Sequence, residues 1–462
     1  MNQNTENFRD TIVTVNEKGK RVWIYPRKQK GKYHSARGYV ALFLLLFLLV
    51  VPGIKVNGHP LMLLNVLDRK FILFGFAFGP QDFFLFVILT ISIVIFTILF
   101  TAIYGRIFCG WVCPQTVFME MVFRKIEYWI EGDAEKQKSL EKSGWTGIKL
   151  FKKTLKHLIF ILIAVIMSNM LVAWVVGFDE LLSLVNSPPS SHFSAFIAMA
   201  VISGFFYFIF SSFREQACTI LCPYGRLQGV LLDPNSLVIA YDYKRGEPRG
   251  IFKKNRERKI GDCVDCSLCV KVCPTGIDIR NGTQLECINC ALCIDACDMI
   301  MNKVKLPEGL IRYDSMSGIE GSGRKKFTPR NIGYTVMLFI LVGVLAGLFM
   351  SRNEINTTLL RKPGALFQEY PGGKVSNLYS LKIVNNTFTE TTINLKTDYP
   401  DAEIKIPGKE LTLPPLGNIE TEFLILIPKE KLKIALTKLT IVISKDKEII
   451  NEVKTNFLYQ VK

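Results

Sequence analysis

The chain has 462 residues and a formal net charge of +17, yet 49% of its residues are hydrophobic and its mean hydropathy is +0.26. This apolar content excludes an intrinsically disordered chain. All 12 cysteines fall in four short motifs, which is not the pattern of a small disulfide-stapled secreted protein. No nucleic-acid recognition motif accompanies the basic charge, so nucleic acid is not predicted as a partner.

Five long apolar segments predict membrane-spanning helices. About 20 apolar residues are needed to cross a hydrocarbon core of about 30 Å. The predicted spans are residues 39–56, 83–105, 155–177, 192–213 and 334–350. Residues 1–38 are polar and basic, so we expect a cytoplasmic N-terminal segment there and no signal peptide.

The distribution of basic residues predicts the orientation of these spans. Residues 1–38 and 106–154 each contain nine Lys and Arg, whereas residues 178–191 contain none. Because basic loops stay on the cytoplasmic side, the N-terminus and residues 106–154 and 214–331 are expected in the cytoplasm. Five spans then place residues 351–462 in the periplasm of a bacterium, with the protein crossing the inner membrane several times.

Two segments differ from the spans in texture. Residues 351–462 contain short β-branched runs separated by turn signals such as Pro371-Gly372-Gly373, which predict a β-sandwich. The modest interpretation of this cysteine-free tail is an interaction domain. Residues 59–80 are apolar but interrupted by Asp68, Arg69 and Lys70, and a re-entrant or interfacial segment is compatible with them.

Eight cysteines form two runs of identical spacing. The C-x2-C-x2-C-x3-C pattern is the bacterial iron–sulfur run, in which the fourth cysteine binds the other cluster. A structural zinc pair is the alternative, but zinc sites usually use two C-x2-C pairs. The second run ends in Asp298 where the first has Pro274. The predicted ligands of one [4Fe–4S] cluster are Cys263, Cys266, Cys269 and Cys297, and those of the other are Cys287, Cys290, Cys293 and Cys273.

The other four cysteines form two C-x3-C-P motifs, each directly after a predicted span. We call Cys109–Pro114 and Cys218–Pro223 the first and second membrane-edge motifs. Their repetition predicts that four thiols meet at one membrane depth, with each proline at the first position of a helix.

Thiolates at this spacing suit Cu(I) or a redox dithiol. A helix N-terminus and the preceding Arg106 or Arg214 are expected to lower the thiol pKa values. Met119 and Met121 are weaker candidates as thioether ligands, because methionines on apolar helices usually fill the core. A C-x3-C disulfide is disfavoured on the cytoplasmic side. No motif for a nicotinamide or flavin nucleotide is present.

The stretches FCGWVCPQTVFME and ACTILCPYGRLQ, two ferredoxin runs, a late span and a β-rich tail resemble the CcoG/FixG/RdxA family of cytochrome c oxidase accessory proteins. The resemblance implies an immunoglobulin-like tail. It also implies a role in assembling a cbb3-type cytochrome c oxidase by reducing Cu(II) to Cu(I). Membrane ferredoxins of nitrate and nitrous-oxide respiration share part of this pattern, which favours quinol-linked electron transfer instead.

The sequence therefore predicts a multi-domain membrane protein of about five helical spans, with an inserted two-cluster domain and a β-sandwich. The leading hypothesis is a cupric reductase that takes electrons from an unidentified donor and passes Cu(I) to a copper carrier or transporter. The alternatives are a quinol-linked subunit with a quinone pocket near residues 59–80, and a non-enzymatic copper-holding scaffold for oxidase assembly factors. The predicted segments are 1–38, 39–213, 214–331, 332–350 and 351–462.

Overall fold

The computed structural model describes residues 14–15, 18, 20–66, 70–79, 82–251, 260–321, 323, 328–362, 367–406, 411–432, 435–445 and 448–460. Most of the basic segment before Lys20, together with Asp68 and Arg69, lies outside these residues. The chain divides into two compact units, which are Met1–Gly53 with Ile88–Gly343, and Ile54–Val87 with Val344–Lys462.

Among the residues that the structure describes, five helices are long and apolar enough to span a membrane, which agrees with the predicted number. They are Lys32–Gly53, Phe83–Tyr104, Gly147–Val176, Phe193–Phe213 and Pro329–Met350. The first, third and fifth of these helices begin earlier in the chain than the corresponding predicted spans. Basic residues occupy the first turns of these helices and lower the hydropathy there without interrupting the helical hydrogen bonds. At the start of the third helix, the Thr146 hydroxyl accepts a hydrogen bond from the Lys149 N–H at 3.3 Å.

Shorter helical segments of the first unit lie between and after the spans, and some of them carry the two membrane-edge motifs. Three of these segments are π-helical, a local distortion that is frequent at functional sites. The π-helical segments are Val117–Phe123, Ile209–Phe213 and Ala217–Leu221. The α-helices are Ile107–Trp111, Pro114–Thr116, Arg124–Ile130, Ala134–Lys142, Phe178–Asn186 and Pro223–Leu231.

The ferredoxin-like part of this unit is built on one antiparallel pair of strands, Val238–Tyr241 and Ile311–Asp314. A buried apolar core that includes Ile239 and Met301 lies beneath the pair. The helices that follow the cysteine runs are Leu268–Lys271 and Leu292–Lys303, and the shorter turns are Tyr243–Gly246, Ile279–Asn281 and Met316–Ile319.

The second unit contains a β-sandwich, as the turn-separated β-branched runs predicted. One sheet contains Ile355–Arg361, Gln368–Tyr370, Lys374–Asn385, Glu403–Lys405 and Asn418–Pro428. The other contains Thr391–Thr397, Leu411–Leu413, Leu436–Lys445 and Glu448–Leu458. The inward-facing residues of both sheets form one apolar core.

The described residues of the segment that remained ambiguous in sequence, residues 59–66 and 70–79, form β-structure in the same unit as the sandwich. Lys55–Val56 pairs with His59–Pro60, and Met62–Asn65, Lys70–Leu73 and Phe76–Phe78 form a three-stranded antiparallel sheet. Two ring and charge contacts attach this region to the tail. The His59 ring stacks on Phe388 at 4.2 Å, and Arg352 Nη2 contacts Asp82 Oδ2 at 2.8 Å.

Candidate metal and electron-transfer centre

The two cysteine runs wrap the chain in the same way. The residues on either side of the second cysteine have left-handed backbone conformations in both runs. They are Asp265 (φ 50°) and Ser267 (φ 55°) in the first run, and Asn289 (φ 54°) and Ala291 (φ 65°) in the second. Because such conformations are costly for residues with a Cβ, their repetition indicates a shared local constraint. A helix begins directly after each of these turns.

The structure groups the eight cysteines into two sets of four. Cys263, Cys266, Cys269 and Cys297 line one small cavity, so the last cysteine of the second run joins the first three of the first run. Cys273 interacts electrostatically with Cys287, Cys290 and Cys293, so the last cysteine of the first run lies with the second run, although Cys293 also interacts with Cys269 of the other set. The grouping agrees with the spacing, and the assignment of these cysteines as cluster ligands stays a prediction.

The donor set suits iron–sulfur clusters better than single zinc ions. Zinc needs four ligands around one ion, with Zn–S distances of about 2.3 Å. The two runs instead have the C-x2-C-x2-C-x3-C spacing of cluster-binding proteins rather than paired C-x2-C motifs. Burial raises the pKa of Cys287 and Cys297 to about 12, so binding a metal cluster must displace thiol protons.

The membrane-edge motifs have the same local architecture. A left-handed residue lies four positions before the first cysteine of each motif, namely Gly105 (φ 59°) before Cys109 and Arg214 (φ 51°) before Cys218. Pro114 and Pro223 occupy the predicted positions at the start of a helix. The internal repeat is therefore local as well as topological, although Cys218 lies in a π-helical turn and Cys109 in an α-helical one.

The two motifs lie side by side. The Cys109 thiol donates a hydrogen bond to Gln228 Oε1 at 3.3 Å, across to the helix that follows the second motif. In the same region, Gln115 Nε2 donates to the Arg214 carbonyl at 3.2 Å. Burial raises the pKa values of Cys109 and Cys218, and neighbouring thiols raise them further: Cys113, Cys109 and Cys222 act on Cys218, and Cys113 and Cys222 act on Cys109. The structure therefore brings Cys109, Cys113, Cys218 and Cys222 into one region.

The expected lowering of the thiol pKa values is wrong. Burial raises the pKa of Cys109 to about 11 and that of Cys218 to about 12. Arg106 acts in the opposite direction on Cys109, but its guanidinium also donates hydrogen bonds to the carbonyls of Leu285 and Gly225. The Arg214 guanidinium is occupied by Glu127. Desolvation therefore outweighs both arginines.

The first membrane-edge motif packs against the loop Cys287–Cys290, which we call the cluster-2 loop. A Cβ on Gly110 would lie 2.4 Å from the Ile288 carbonyl oxygen, so the two main chains are in direct contact. The Cys109 side chain also packs against the apolar group that contains Cys290 and Ile288. This contact places a candidate copper thiol beside a predicted cluster ligand.

The two methionine candidates lie in different places. Met119 and Cys218 line the same small cavity, of about 20 Å³. Met121 packs instead against Ala41 and Val117 in the first span and its neighbouring helix. Only Met119 is therefore placed beside one of the four thiols.

Sequence reasoning missed a set of buried charges next to the motifs. Arg214 Nη1 and Nη2 contact the two carboxylate oxygens of Glu127 at 2.7 and 2.8 Å. Arg124 Nη1 lies 2.9 Å from Glu120 Oε1, and Lys156 Nζ lies 2.9 Å from Glu131 Oε1. The signal was available in QTVFMEMVFRKIEYWIE, where charged residues recur every three or four positions on one helix face. Two of these ion pairs, those of Arg214 and Lys156, join the helical segment that follows the first membrane-edge motif to the end of the fourth span and to the third span.

Comparison with known protein families agrees with this layout. Residues 213–316 match a 4Fe-4S dicluster domain, residues 86–133 match a 4Fe-4S binding domain, and residues 345–460 match the IG-like fold at the C-terminal of FixG. The sandwich is therefore immunoglobulin-like.

Three curated relatives extend over most of the chain. Protein RdxA of Cereibacter sphaeroides is 34% identical over 393 residues, covering 81% of this chain and 82% of that protein. Nitrogen fixation protein FixG of Rhizobium meliloti is 33% identical over 438 residues, covering 84% and 82%. Protein RdxB of Cereibacter sphaeroides is 34% identical over 387 residues, covering 79% and 80%.

Proposed function

Because this chain belongs to the FixG/RdxA family, we propose that it is a membrane cupric reductase for assembly of a cbb3-type cytochrome c oxidase. In this proposal Cu(II) is the substrate, and it is reduced to Cu(I) at Cys109, Cys113, Cys218 and Cys222. The coarser description, a multi-pass membrane iron–sulfur protein with an electron-transfer or oxidase accessory role, follows from the family matches and the five apolar helices.

One observation carries the proposal, namely the contact between the first membrane-edge motif and the cluster-2 loop. Gly110 and Ile288 are in main-chain contact, and the Cys109 side chain packs in the same apolar group as Cys290. When bound, the two clusters supply one-electron transfer. The chain's own contribution is to hold the thiols that would bind copper close to one of the two sets of predicted cluster ligands.

The surroundings of the thiols favour the product. Thiolates are soft ligands that prefer Cu(I) to Cu(II). The four cysteines are half-buried, and partial removal from water disfavours the more highly charged ion. No general acid or base is required for this reaction, so the scarcity of histidine in the chain is compatible with it.

The test is a variant with all four membrane-edge cysteines changed to Ser. We expect normal iron and sulfide content, normal reduction of the clusters by dithionite, and loss of copper binding and Cu(I) formation measured with a Cu(I)-specific chelator. The matched control is Cys266→Ser, which changes an exposed cysteine that is a predicted cluster ligand. This variant should lose iron, whereas the four-serine variant should not. Unchanged copper binding and reduction in the four-serine variant would refute the site.

A third cluster at these thiols is a second candidate, favoured by one finding. The 4Fe-4S binding model matches residues 86–133, where Cys109 and Cys113 are the only cysteines. A cluster there would need Cys218 and Cys222 as its other ligands. Iron analysis of the purified protein separates the candidates, since two [4Fe–4S] clusters contain eight irons and three contain twelve.

The orientation and partners belong to the same proposal. The basic segments favour a cytoplasmic N-terminus and a cytoplasmic cluster domain, with residues 351–462 in the periplasm and Cu(I) passing to a copper carrier or transporter. Reporter proteins fused after residues 190 and 350 should both be active in the periplasm.

The two alternative functions make different predictions. If the chain is a quinol-linked subunit, quinol should reduce its clusters in membranes. If it is a copper-holding scaffold, its clusters should never exchange electrons with bound copper.

A further inference from the structure

A cavity of about 410 Å³ lies beside the cluster domain, and its lining contains none of the four membrane-edge cysteines. Its walls come from the N-terminal segment, the first span, the helix that begins at Arg124, and the ferredoxin-like part. The volume falls in the range of small-molecule sites. All of these elements belong to the same compact unit.

The charged residues that line the cavity are mostly basic. Among the described residues that line it, Arg27, Lys28, Arg37 and Lys125 carry positive charge, whereas Glu120 is the one carboxylate. Such a lining selects an anion. Negative charge would also be favoured by the position of the cavity among basic segments.

Arg37 supplies an independent indication of a ligand. It is 2% exposed, and its Nε donates a hydrogen bond to the Gly110 carbonyl at 2.9 Å. Its Nη1 is buried without a hydrogen-bond partner. Leaving a buried charged donor unpaired is costly, and an anion in the cavity would supply the missing acceptor.

Apolar and aromatic residues complete the lining. Leu292 lies between Cys290 and Cys293 in the sequence, and Val272 directly precedes Cys273, so this part of the lining is close in sequence to predicted cluster ligands. Tyr128 and the 77% exposed Trp129 add aromatic surface. An occupant therefore meets positive charge together with apolar and aromatic surface.

We propose that this cavity binds reduced flavin mononucleotide, with its phosphate on the basic side chains, and that this flavin is the electron donor. The donor role rests on the proposed function. In the balanced step, the reduced flavin would become oxidised flavin and release two protons to solvent. Its two electrons would pass one each to the two clusters that the eight cysteines would hold, and would suffice to reduce two Cu(II) to two Cu(I).

The chemistry distinguishes flavin from other donors. A nicotinamide transfers a hydride, which single-electron acceptors cannot take directly. A quinol is neutral and would leave the basic lining and Arg37 Nη1 without a counter-charge. The flavin ring matches the apolar and aromatic residues of the lining, and the phosphate matches its basic residues. The site has no sequence motif because its lining comes from four separate parts of the chain.

The experiment measures binding of oxidised flavin mononucleotide to the full-length protein in phosphatidylcholine nanodiscs, by quenching of flavin fluorescence. We expect stoichiometric binding, and at least about tenfold weaker binding of riboflavin, which lacks the phosphate. Lys125→Glu should weaken flavin mononucleotide binding by a similar factor. Lys138→Glu, the same charge change on the exposed face of helix Ala134–Lys142, should not. Arg37→Gln should abolish the preference for the phosphate.

The failure of this inference is distinguishable from that of the proposed function. Dithionite-driven Cu(II) reduction should persist in Lys125→Glu, whereas reduction driven by reduced flavin mononucleotide should fall. Equal binding of riboflavin and flavin mononucleotide would overturn the proposal, as would equal effects of the two lysine variants. Displacement of the flavin by phosphatidylglycerol, or cluster reduction by quinol blocked by Lys125→Glu, would assign the cavity to a lipid or a quinol instead.

Discussion

The indole Nε1 of Trp111 donates a hydrogen bond to the Tyr313 hydroxyl at 3.0 Å, and that hydroxyl donates to the Asn289 carbonyl at 2.7 Å. Trp111 lies inside the first membrane-edge motif, and Asn289 lies inside the cluster-2 loop. Tyr313, at the end of the antiparallel strand pair, therefore holds the two metal-binding segments together through one hydroxyl. This bridge and the contact at Gly110 fix the distance between them.

Tyr313→Phe should separate stability from cluster content. The change leaves the Trp111 N–H and the Asn289 carbonyl without their partner, which costs about 1–3 kcal/mol. We expect a lower midpoint of thermal unfolding, unchanged iron content, and slower Cu(II) reduction by the dithionite-reduced protein. Tyr243→Phe, at an exposed tyrosine of the same domain, is the control. An unchanged copper reduction rate would mean that the bridge has no part in coupling the two sites.

Gly110→Ala should push the first motif away from the cluster-2 loop. The new Cβ would lie 2.4 Å from the Ile288 carbonyl oxygen and 3.0 Å from that of Asn289. Because both neighbours are main-chain atoms, no side-chain rotation relieves the overlap. We expect loss of copper reduction with the clusters still assembled, measured by iron content and the electron paramagnetic resonance of the reduced protein.

Gly147→Ala is the matched control for that variant, since a Cβ there meets no atom within 4 Å. It lies at the start of a spanning helix, where Ala is preferred to Gly by up to about 1 kcal/mol. Its stability should therefore be unchanged or slightly higher. If both alanine variants retained full activity, close contact at Gly110 would not be needed.

The sequence was sufficient for the spans, the sandwich and the grouping of the cysteines, because hydropathy and motif spacing are local signals. The pKa values of Cys109 and Cys218 could not be predicted, since their burial depends on packing against distant segments. The cavity at Arg37 was missed for the same reason. The buried pair Glu127–Arg214 joins positions 87 residues apart, and only the periodicity of charges on the helix indicated one member of it.

Separating Glu127 from Arg214 should be strongly destabilising. Their side chains are 4% and 7% exposed and make two hydrogen bonds, so either single change leaves a buried charge. Glu127→Met or Arg214→Met should cost about 3–5 kcal/mol, and the double variant less than either, measured by thermal unfolding in detergent. Costs that simply add in the double variant would contradict a direct coupling between the two side chains.

The same pair predicts a dependence of stability on acid. Burial by itself raises the pKa of Glu127, but the charge of Arg214 and its hydrogen bonds outweigh burial and hold that pKa below its usual value. A carboxyl with a lowered pKa in the folded state stabilises the fold at pH values above the unfolded pKa of about 4.3. That stabilisation is lost as the pH falls through the lower folded-state value.

Glu127→Gln should therefore be less stable than wild type near neutral pH, and the difference should shrink as the pH falls below about 4. Thermal unfolding followed by tryptophan fluorescence tests this. Glu135→Gln, at an exposed position on the next helix, is the control. A difference between wild type and Glu127→Gln that stays constant with pH would show that Glu127 is not ionised in the folded protein.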